Sequence, residues 1–136
     1  RSQTVTGVQT CALPILSDLN HLYTDHPALW NDDEDGFQWI SYGDRENSVL
    51  SYIRQHDEEA LIFLLNFTPV VRDEYRIGVP ESGRYTVRLN SDDETYGGSG
   101  VGPEHLDTED VPAHGQDQSV LLTTPPLGAL ILEKEA

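Results

Sequence analysis

The sequence has a single cysteine, a single lysine and no methionine. Cys11 has no second thiol to pair with, so an internal disulfide is excluded and a reducing compartment is indicated. With no initiator methionine, we interpret the chain as a fragment or a processed product. No apolar run approaches the roughly 18–20 residues that span a bilayer. The N-terminal residues also lack the basic start and continuous apolar run of a secretory signal, so we expect a cytoplasmic location.

Basic residues are scarce. Eight Lys and Arg stand against 24 Asp and Glu, which gives a formal net charge of −16 at pH 7. The electrostatic field of this negative charge repels phosphate polyanions and anionic lipid surfaces, so neither nucleic acid nor a membrane is an expected partner. A neutral polymer is not excluded by charge. We interpret the acidity as a source of solubility, with a salt-adapted host as the alternative.

Residue patterns that carry catalysis or bind metals are also missing. Neighbouring carboxylates, such as Glu58 and Glu59 or Asp92 to Glu94, do not supply the shielded acid with a raised pKa that glycoside chemistry needs. No histidine has metal-ligand spacing with another histidine, the cysteine or a carboxylate; the histidines are His21, His26, His56, His105 and His114. We therefore predict no catalytic, cofactor-binding or metal-binding residue in this chain.

Two loops come close to known motifs without matching them. The segment from Asn31 to Gly36 resembles the start of a calcium loop, but its twelfth position is Tyr42 instead of a bidentate glutamate, so a solvated turn is predicted. The glycines around Ser99 fail the nucleophile-elbow pattern because position 101 is valine. They fail the dinucleotide-binding pattern because position 103 is proline. We predict a tight or flexible loop, or alternatively a close backbone approach to a partner domain or a sugar.

A helix is predicted over residues 17–30. Its apolar residues share one face and are Leu16, Leu19, Leu22 and Tyr23. Pro27 should end the helix, because proline has no amide hydrogen and disfavours helix in the residue before it. Residues 1–15 show no durable period, and we interpret them as a non-native or disordered tail.

From Phe37 onward the pattern predicts β-strands. Val49, Ser51 and Ile53 alternate with Leu50, Tyr52 and Arg54, and the apolar run 61–67 is typical of a central strand covered on both faces. Turn residues at 80–83 and at 125–128 predict two hairpins, and 91–118 is predicted to be one extended loop. Seven or so short strands predict an all-β fold, an antiparallel two-sheet β-sandwich preceded by one helix.

Aromatic residues recur along the predicted strands and are Phe37, Trp39, Tyr42, Tyr75, Tyr85 and Tyr96. We interpret them as filling the core or an interdomain seam. The alternative is a flat platform on which glucose rings stack, and Trp39 and Tyr96 are the candidate glucan contacts.

Several stretches resemble the C-terminal region of bacterial 1,4-α-glucan (glycogen) branching enzymes, members of the α-amylase superfamily. They are LSDLNHLYTDHPALW, DGFQWISYGDRENSVLSYIR, NFTPVVRDEYRIGVPESGRY, RLNSDDETYGGSGVG and HGQDQSVLLTTPPLGALIL. The resemblance covers residues 16–134. It implies that 16–35 are the last helix of a catalytic (β/α)₈ barrel with its exit turn, and that 36–136 are the C-terminal β-sandwich domain. Residues 1–15 depart from the pattern.

In that family the full enzyme transfers an α-1,4 glucan chain to a 6-hydroxyl and forms an α-1,6 branch. The reaction uses one carboxylate as nucleophile and one as acid/base, and both lie in the barrel. The resemblance therefore implies a non-catalytic fragment, without a cofactor, that supports the barrel or helps to handle glucan. Two alternatives stay open: a stand-alone glucan-binding β-sandwich, or the C-terminal domain of another α-amylase-superfamily enzyme.

Overall fold

The computed structural model describes the backbone of residues 3–136 and the side chains from residue 13 onward. One helix, α1 (Gln3–Asp25), precedes the strands β1 (Phe37–Asp44), β2 (Val49–His56), β3 (Glu59–Asn66), β4 (Arg72–Val79), β5 (Arg84–Asn90), β6 (His105–Asp107), β7 (Gln118–Thr124) and β8 (Ala129–Lys134). Short 3-10 turns lie at Pro27–Leu29, Glu34–Gly36 and Glu94–Tyr96. No helix among the described residues is long and apolar enough to cross a membrane.

The strands form two antiparallel sheets, which confirms the predicted β-sandwich. The larger sheet has the order β1-β2-β3-β8-β5-β6, and the smaller sheet pairs β4 with β7. Strand β3 lies between β2 and β8, as expected for the apolar run 61–67. The core fills the space between the sheets: Ile62, Leu64 and Leu132 from the larger sheet meet Ile77 and Val120 from the smaller one. Alternation along each strand explains this, because every second side chain points to the same face.

The two predicted hairpins are wrong, although their turns are present. Strands β4 and β5, joined through 80–83, lie in different sheets, and so do β7 and β8, joined through 125–128. The two strands of a hairpin pair with each other in one sheet. Here Leu122 of β7 and Leu130 of β8 instead bury their side chains in one core from opposite sides. Turn residues mark where the chain reverses, but they do not say which strand becomes the neighbour.

The helix begins at Gln3 and ends at Asp25, so the predicted bounds of 17–30 are corrected. Pro14 is the one proline in residues 3–16, and it removes one backbone hydrogen bond inside the helix. The helix nevertheless continues through it. Residues 3–15 thus lie within α1, and the interpretation of 1–15 as a non-native or disordered tail stays a prediction. Residues 1 and 2 lie outside the described residues. At the other end, Pro27 begins a 3-10 turn, as its missing amide hydrogen favours.

Residues 91–118 are not one extended loop. His105–Asp107 pairs with β5 as strand β6 and places Leu106 in the core. A three-residue strand with one buried side chain is too short to show alternation, so no sequence signal marked it.

The helix covers part of the outer face of the larger sheet. Ile15 and Leu22 pack there against Leu61, Leu89 and Ile131. The exit turn after the helix is tied to the sheet as well. The Arg54 guanidinium donates hydrogen bonds to the carbonyls of Ala28, Leu29 and Asn31, at 3.2, 3.3 and 2.8 Å.

Candidate functional site

Five aromatic side chains, which we call the aromatic row, lie together on the outer face of the larger sheet beyond the helix. They are Phe37, Trp39, Tyr42, Tyr52 and Phe63. Trp39 is directly opposite Tyr52 in the sheet, and Tyr52 is directly opposite Phe63. The rings of Tyr52 and Phe63 stack with centroids 4.9 Å apart, and the rings of Phe37 and Trp39 are perpendicular with centroids 5.0 Å apart. Cross-strand pairing of residues on one face thus builds the row.

The aromatic row is continuous with the surface under the helix, yet much of it is uncovered. Phe63 is opposite Ile131, which packs beneath α1. Trp39 is 46% exposed and Tyr42 is 69% exposed. Exposed apolar surface of this kind marks interaction sites more often than isolated exposed side chains do. The predicted core-filling role holds for Tyr85, which is buried, but Phe37, Trp39 and Tyr42 lie outside the core.

The helix presents a second exposed apolar surface. Leu16, Leu19 and Tyr23 are exposed on its outer side, whereas Leu22 packs against the sheet. At about 100° per residue these side chains lie within an arc of about 120°, so the predicted single apolar face is present. The sheet covers its edge with Ile15 and Leu22, whereas its edge with Leu16, Leu19 and Tyr23, the uncovered side of α1, is exposed.

The structure does not bring the two candidate glucan contacts together. Trp39 lies on the edge strand β1, whereas Tyr96 packs beside Leu89 of β5, four strand spacings away in the sheet order. At about 4.8 Å per spacing the separation is about 19 Å. The Tyr96 hydroxyl donates a hydrogen bond to Asp18 of α1, and burial followed by this bond raises the pKa of Tyr96 to about 12. Tyr96 thus fastens the helix to the sheet, and its ring also borders an open cleft of about 370 Å³.

Asp92 organises the glycine-rich loop that follows β5. Its carboxylate accepts hydrogen bonds from the amide and the hydroxyl of Ser99 and from the amide of Val101. Burial raises the pKa of Asp92, but these hydrogen bonds outweigh it, and the net pKa lies below the usual value. A general acid needs the opposite shift. Asp92 is therefore a structural acceptor, and the loop is a tight turn, which is one of the two predicted readings.

Gly98→Ala is expected to destabilise this loop much more than Gly97→Ala. A Cβ at position 98 would lie 2.1 Å from the Asp92 carbonyl oxygen, so the backbone must move, at a cost of about 2–3 kcal/mol. At Gly97 a Cβ meets nothing within 4 Å, and only the left-handed backbone (φ +84°) costs about 1 kcal/mol. Thermal unfolding of both variants measures the difference. Equal losses would contradict the packing described for the loop.

The acidic segment 31–36 is a turn held by Asn31. The Asn31 side chain donates to the Gln55 carbonyl at 3.0 Å and accepts from the Asp33 amide at 3.1 Å. Asp32, Asp33 and Glu34 are exposed. The predicted solvated turn is what the structure shows.

One side-chain cluster was not predicted from the sequence. His26, Glu59 and Glu133 bring one ligand atom each to within 4.8 Å of one another on the outer face of the larger sheet. His26 follows α1, Glu59 begins β3 and Glu133 belongs to β8. The three residues are dozens of positions apart, so no local spacing could have revealed them. The prediction that no histidine joins a possible ligand set rested on such spacing alone.

Comparison with known proteins places this chain in a family. Residues 39–135 match the family model described as the alpha amylase C-terminal all-beta domain. The chain is 59% identical over 119 residues to the 1,4-alpha-glucan branching enzyme GlgB of Salinibacter ruber, covering 87% of this chain and 19% of that protein. It is 48% identical over 122 residues to the enzyme of the same name from Rubrobacter xylanophilus, covering 87% of this chain and 17% of that protein.

A solved structure agrees on the fold. An alpha-amylase from H. orenii superposes with a TM-score of 0.50 at 20% identity, covering 85% of this chain and 18% of that one. The chain therefore spans about a fifth of the length of the relatives it matches. Because the family model covers most of the β-sandwich and two relatives share close to half or more of its residues, this chain belongs to the alpha-amylase C-terminal all-beta domain family.

Proposed function

We propose that this chain is the non-catalytic C-terminal part of a 1,4-α-glucan branching enzyme, and that its outer face docks on the catalytic part of the same polypeptide. The observation that carries the proposal is the aromatic row on the outer face of the sheet, in which Phe37, Trp39 and Tyr42 are exposed. A sandwich that was complete by itself would not gain from five clustered aromatic side chains on the face away from its core. The relatives supply the partner, since about four fifths of each lies outside the matched region.

Two further features support docking by this face. The aromatic row continues the apolar surface that already holds α1, and the uncovered side of α1 adds Leu16, Leu19 and Tyr23. Residues 16–35 then end the catalytic barrel and 36–136 form the C-terminal domain, as the resemblance implies. The described carboxylates with shifted pKa values all have lowered ones, whereas a general acid needs a raised pKa. The pKa of Asp107, for example, is held below its usual value by the hydrogen bond from Arg84.

Dye binding by the purified chain tests whether the aromatic row is available for docking. An uncovered row should bind a hydrophobic fluorescent dye and promote self-association, and Trp39→Ser should reduce both. Phe67→Ser is the matched control, because Phe67 is 59% exposed and lies outside the row, so this variant should keep the dye signal. A monomer that binds no dye, or equal effects of the two variants, would count against docking by this face.

Glucan contact is the second candidate function of the same domain. Exposed Trp39 offers a ring on which a glucose unit can stack, and Tyr96 borders the cleft with Arg88, Asn90 and His105. Electrophoresis of the chain through gels with and without glycogen measures this binding. Retardation that Trp39→Ala or Tyr96→Ala weakens would support glucan contact at that residue, and no retardation would contradict it.

We also propose a cytoplasmic location for the parent enzyme and α-glucan as its substrate. The single cysteine fits a reducing compartment. The names of the two relatives favour glucan branching over the chemistry of other α-amylase-superfamily enzymes.

A further inference from the structure

His26 is held in an orientation that leaves one ring nitrogen facing a carboxylate. Its Nδ1 lies 3.0 Å from the Leu22 carbonyl oxygen, which can only accept a hydrogen bond, so Nδ1 carries the hydrogen. In the neutral ring, Nε2 is then an unprotonated nitrogen with a lone pair. That nitrogen lies 3.4 Å from Glu133 Oε1, another lone-pair atom. Two acceptors at this distance need a positive charge between or beside them, and Arg88, which donates to the same Glu133 oxygen at 2.6 Å, supplies part of it.

Glu59 completes a set of three ligand atoms around that point. The His26 and Glu133 side chains are only 14% and 20% exposed, and Glu59 is half-buried. Glu59 Oε1 accepts the Ala28 amide at 2.9 Å, which fixes the carboxylate beside the exit turn and leaves its second oxygen free. All three ligand atoms lie within 4.8 Å of one another.

The spacing fits a divalent transition metal. Ligand atoms about 2.1 Å from a tetrahedral zinc ion lie about 3.4 Å apart, the separation observed between His26 Nε2 and Glu133 Oε1. The Glu59 ligand atom lies within 4.8 Å of the other two and must move closer for one ion to bind all three. A histidine that donates its other ring hydrogen to a backbone carbonyl is also the usual form of a metal-bound histidine.

We propose that His26, Glu59 and Glu133 form a zinc-type site that ties the end of α1 to the outer face of the sheet. Each ligand comes from a different element, so a bound ion would join the helix exit, the start of β3 and the end of β8. Arg88 Nε donates to Glu133 Oε1 at 2.6 Å and offsets one of the two carboxylate charges. A carboxylate oxygen has room for both a hydrogen bond and a metal bond. This inference does not depend on the proposed docking.

Titration of the 136-residue chain with Zn²⁺ tests the site, in a Cys11→Ser background that removes the one thiol. Glu59→Gln is the informative variant, because its amide oxygen still accepts the Ala28 amide while the charge is lost. We expect Glu59→Gln and His26→Ala each to weaken Zn²⁺ binding at least tenfold and to abolish the rise in unfolding temperature that Zn²⁺ gives the parent chain. Co²⁺ should show the visible absorption of a low-coordinate nitrogen and oxygen site.

The matched control is His56→Ala. His56 Nε2 also lies 3.4 Å from a carboxylate oxygen, that of Asp57, but this pair is exposed and belongs to no three-ligand group among the described residues. His56→Ala should bind Zn²⁺ like the parent chain. Equal Zn²⁺ affinities for the parent and Glu59→Gln would overturn the proposal. So would nitrogen NMR showing that His26 keeps protons on both ring nitrogens when Zn²⁺ is added, since a proton would then supply the positive charge.

Discussion

Replacing Asn66 with alanine is expected to lower the free energy of unfolding by about 3–4 kcal/mol. Asn66 ends β3 and is 3% exposed. Its amide group donates to the carbonyls of Val70 and Pro125, both at 2.9 Å, and its oxygen accepts from the amide and the hydroxyl of Thr68. One side chain thus joins the connection that leaves the larger sheet to the connection that returns to it. Alanine would leave several of these buried or half-buried groups without partners.

Thermal or denaturant unfolding measures the Asn66→Ala effect, and we expect a fall of about 10–15 °C in the unfolding temperature. Asn47→Ala is the control. Asn47 also hydrogen-bonds through its amide, but only to Asp44 within the turn between β1 and β2, so its loss should cost about 1 kcal/mol or less. A similar, small effect of both substitutions would show that Asn66 does not link the sheets.

Trp39→Asp is expected to reduce branching activity at least about tenfold in a chimera that joins the catalytic part of the Salinibacter ruber relative to residues 16–136 of this chain. If the aromatic row docks on the catalytic part, the substitution loses the burial of an indole ring, worth about 2 kcal/mol or more. It also places an unpaired carboxylate in an apolar contact, which adds a further cost. Together these exceed the 1.4 kcal/mol that corresponds to a factor of ten.

Phe67→Asp separates docking from the effect of added charge in the same chimera. Phe67 is exposed, follows β3 and lies outside the aromatic row. Its replacement adds the same charge to the same domain, so the rate of branch formation should stay within about twofold of the unsubstituted chimera. Full activity of the Trp39→Asp chimera, or equal losses in both, would show that the row is not the docking surface.

The strand positions and the sandwich could be predicted from sequence because alternation is a local property. Val49, Ser51 and Ile53 share one face as their spacing indicates, and the structure shows that this face is buried. Strand β3 lies inside its sheet, between β2 and β8. The pairing of β4 with β7 could not be predicted in this way. Turn residues at 80–83 and 125–128 report a reversal of direction, whereas the choice of neighbour depends on how both sheets share one core.

The surface features likewise include some that local sequence shows and others that depend on contacts between distant residues. Phe37 and Trp39 were visible in the sequence as alternating aromatics, but their exposure depends on α1 stopping short of them. Tyr96 was one of the two candidate glucan contacts, and in the structure its hydroxyl donates a hydrogen bond to Asp18 of the helix, 78 positions away. The cluster of His26, Glu59 and Glu133 needs the register of β3 with β8, in which Leu61 is opposite Glu133. Contacts between distant residues were beyond the reach of spacing arguments.

The charge of the chain bears on where docking can occur. With a net charge of −16, most of the surface repels another acidic surface. The aromatic row and the uncovered side of α1 are apolar interruptions in that surface. Association through them would be driven by burial of apolar area and should weaken little with added salt, in contrast to contacts made through the acidic loops.

Branch formation from a linear α-1,4 glucan is the measurement that tests the central claim most directly. It is followed by the iodine complex and by the chains released on debranching. The samples are the 136-residue chain, the Salinibacter ruber enzyme shortened by the region matching this chain, and the chimera of the two. We predict no branching by the chain alone, little by the shortened enzyme and restored branching by the chimera. Branching by the isolated chain, or a chimera no more active than the shortened enzyme, would contradict the account.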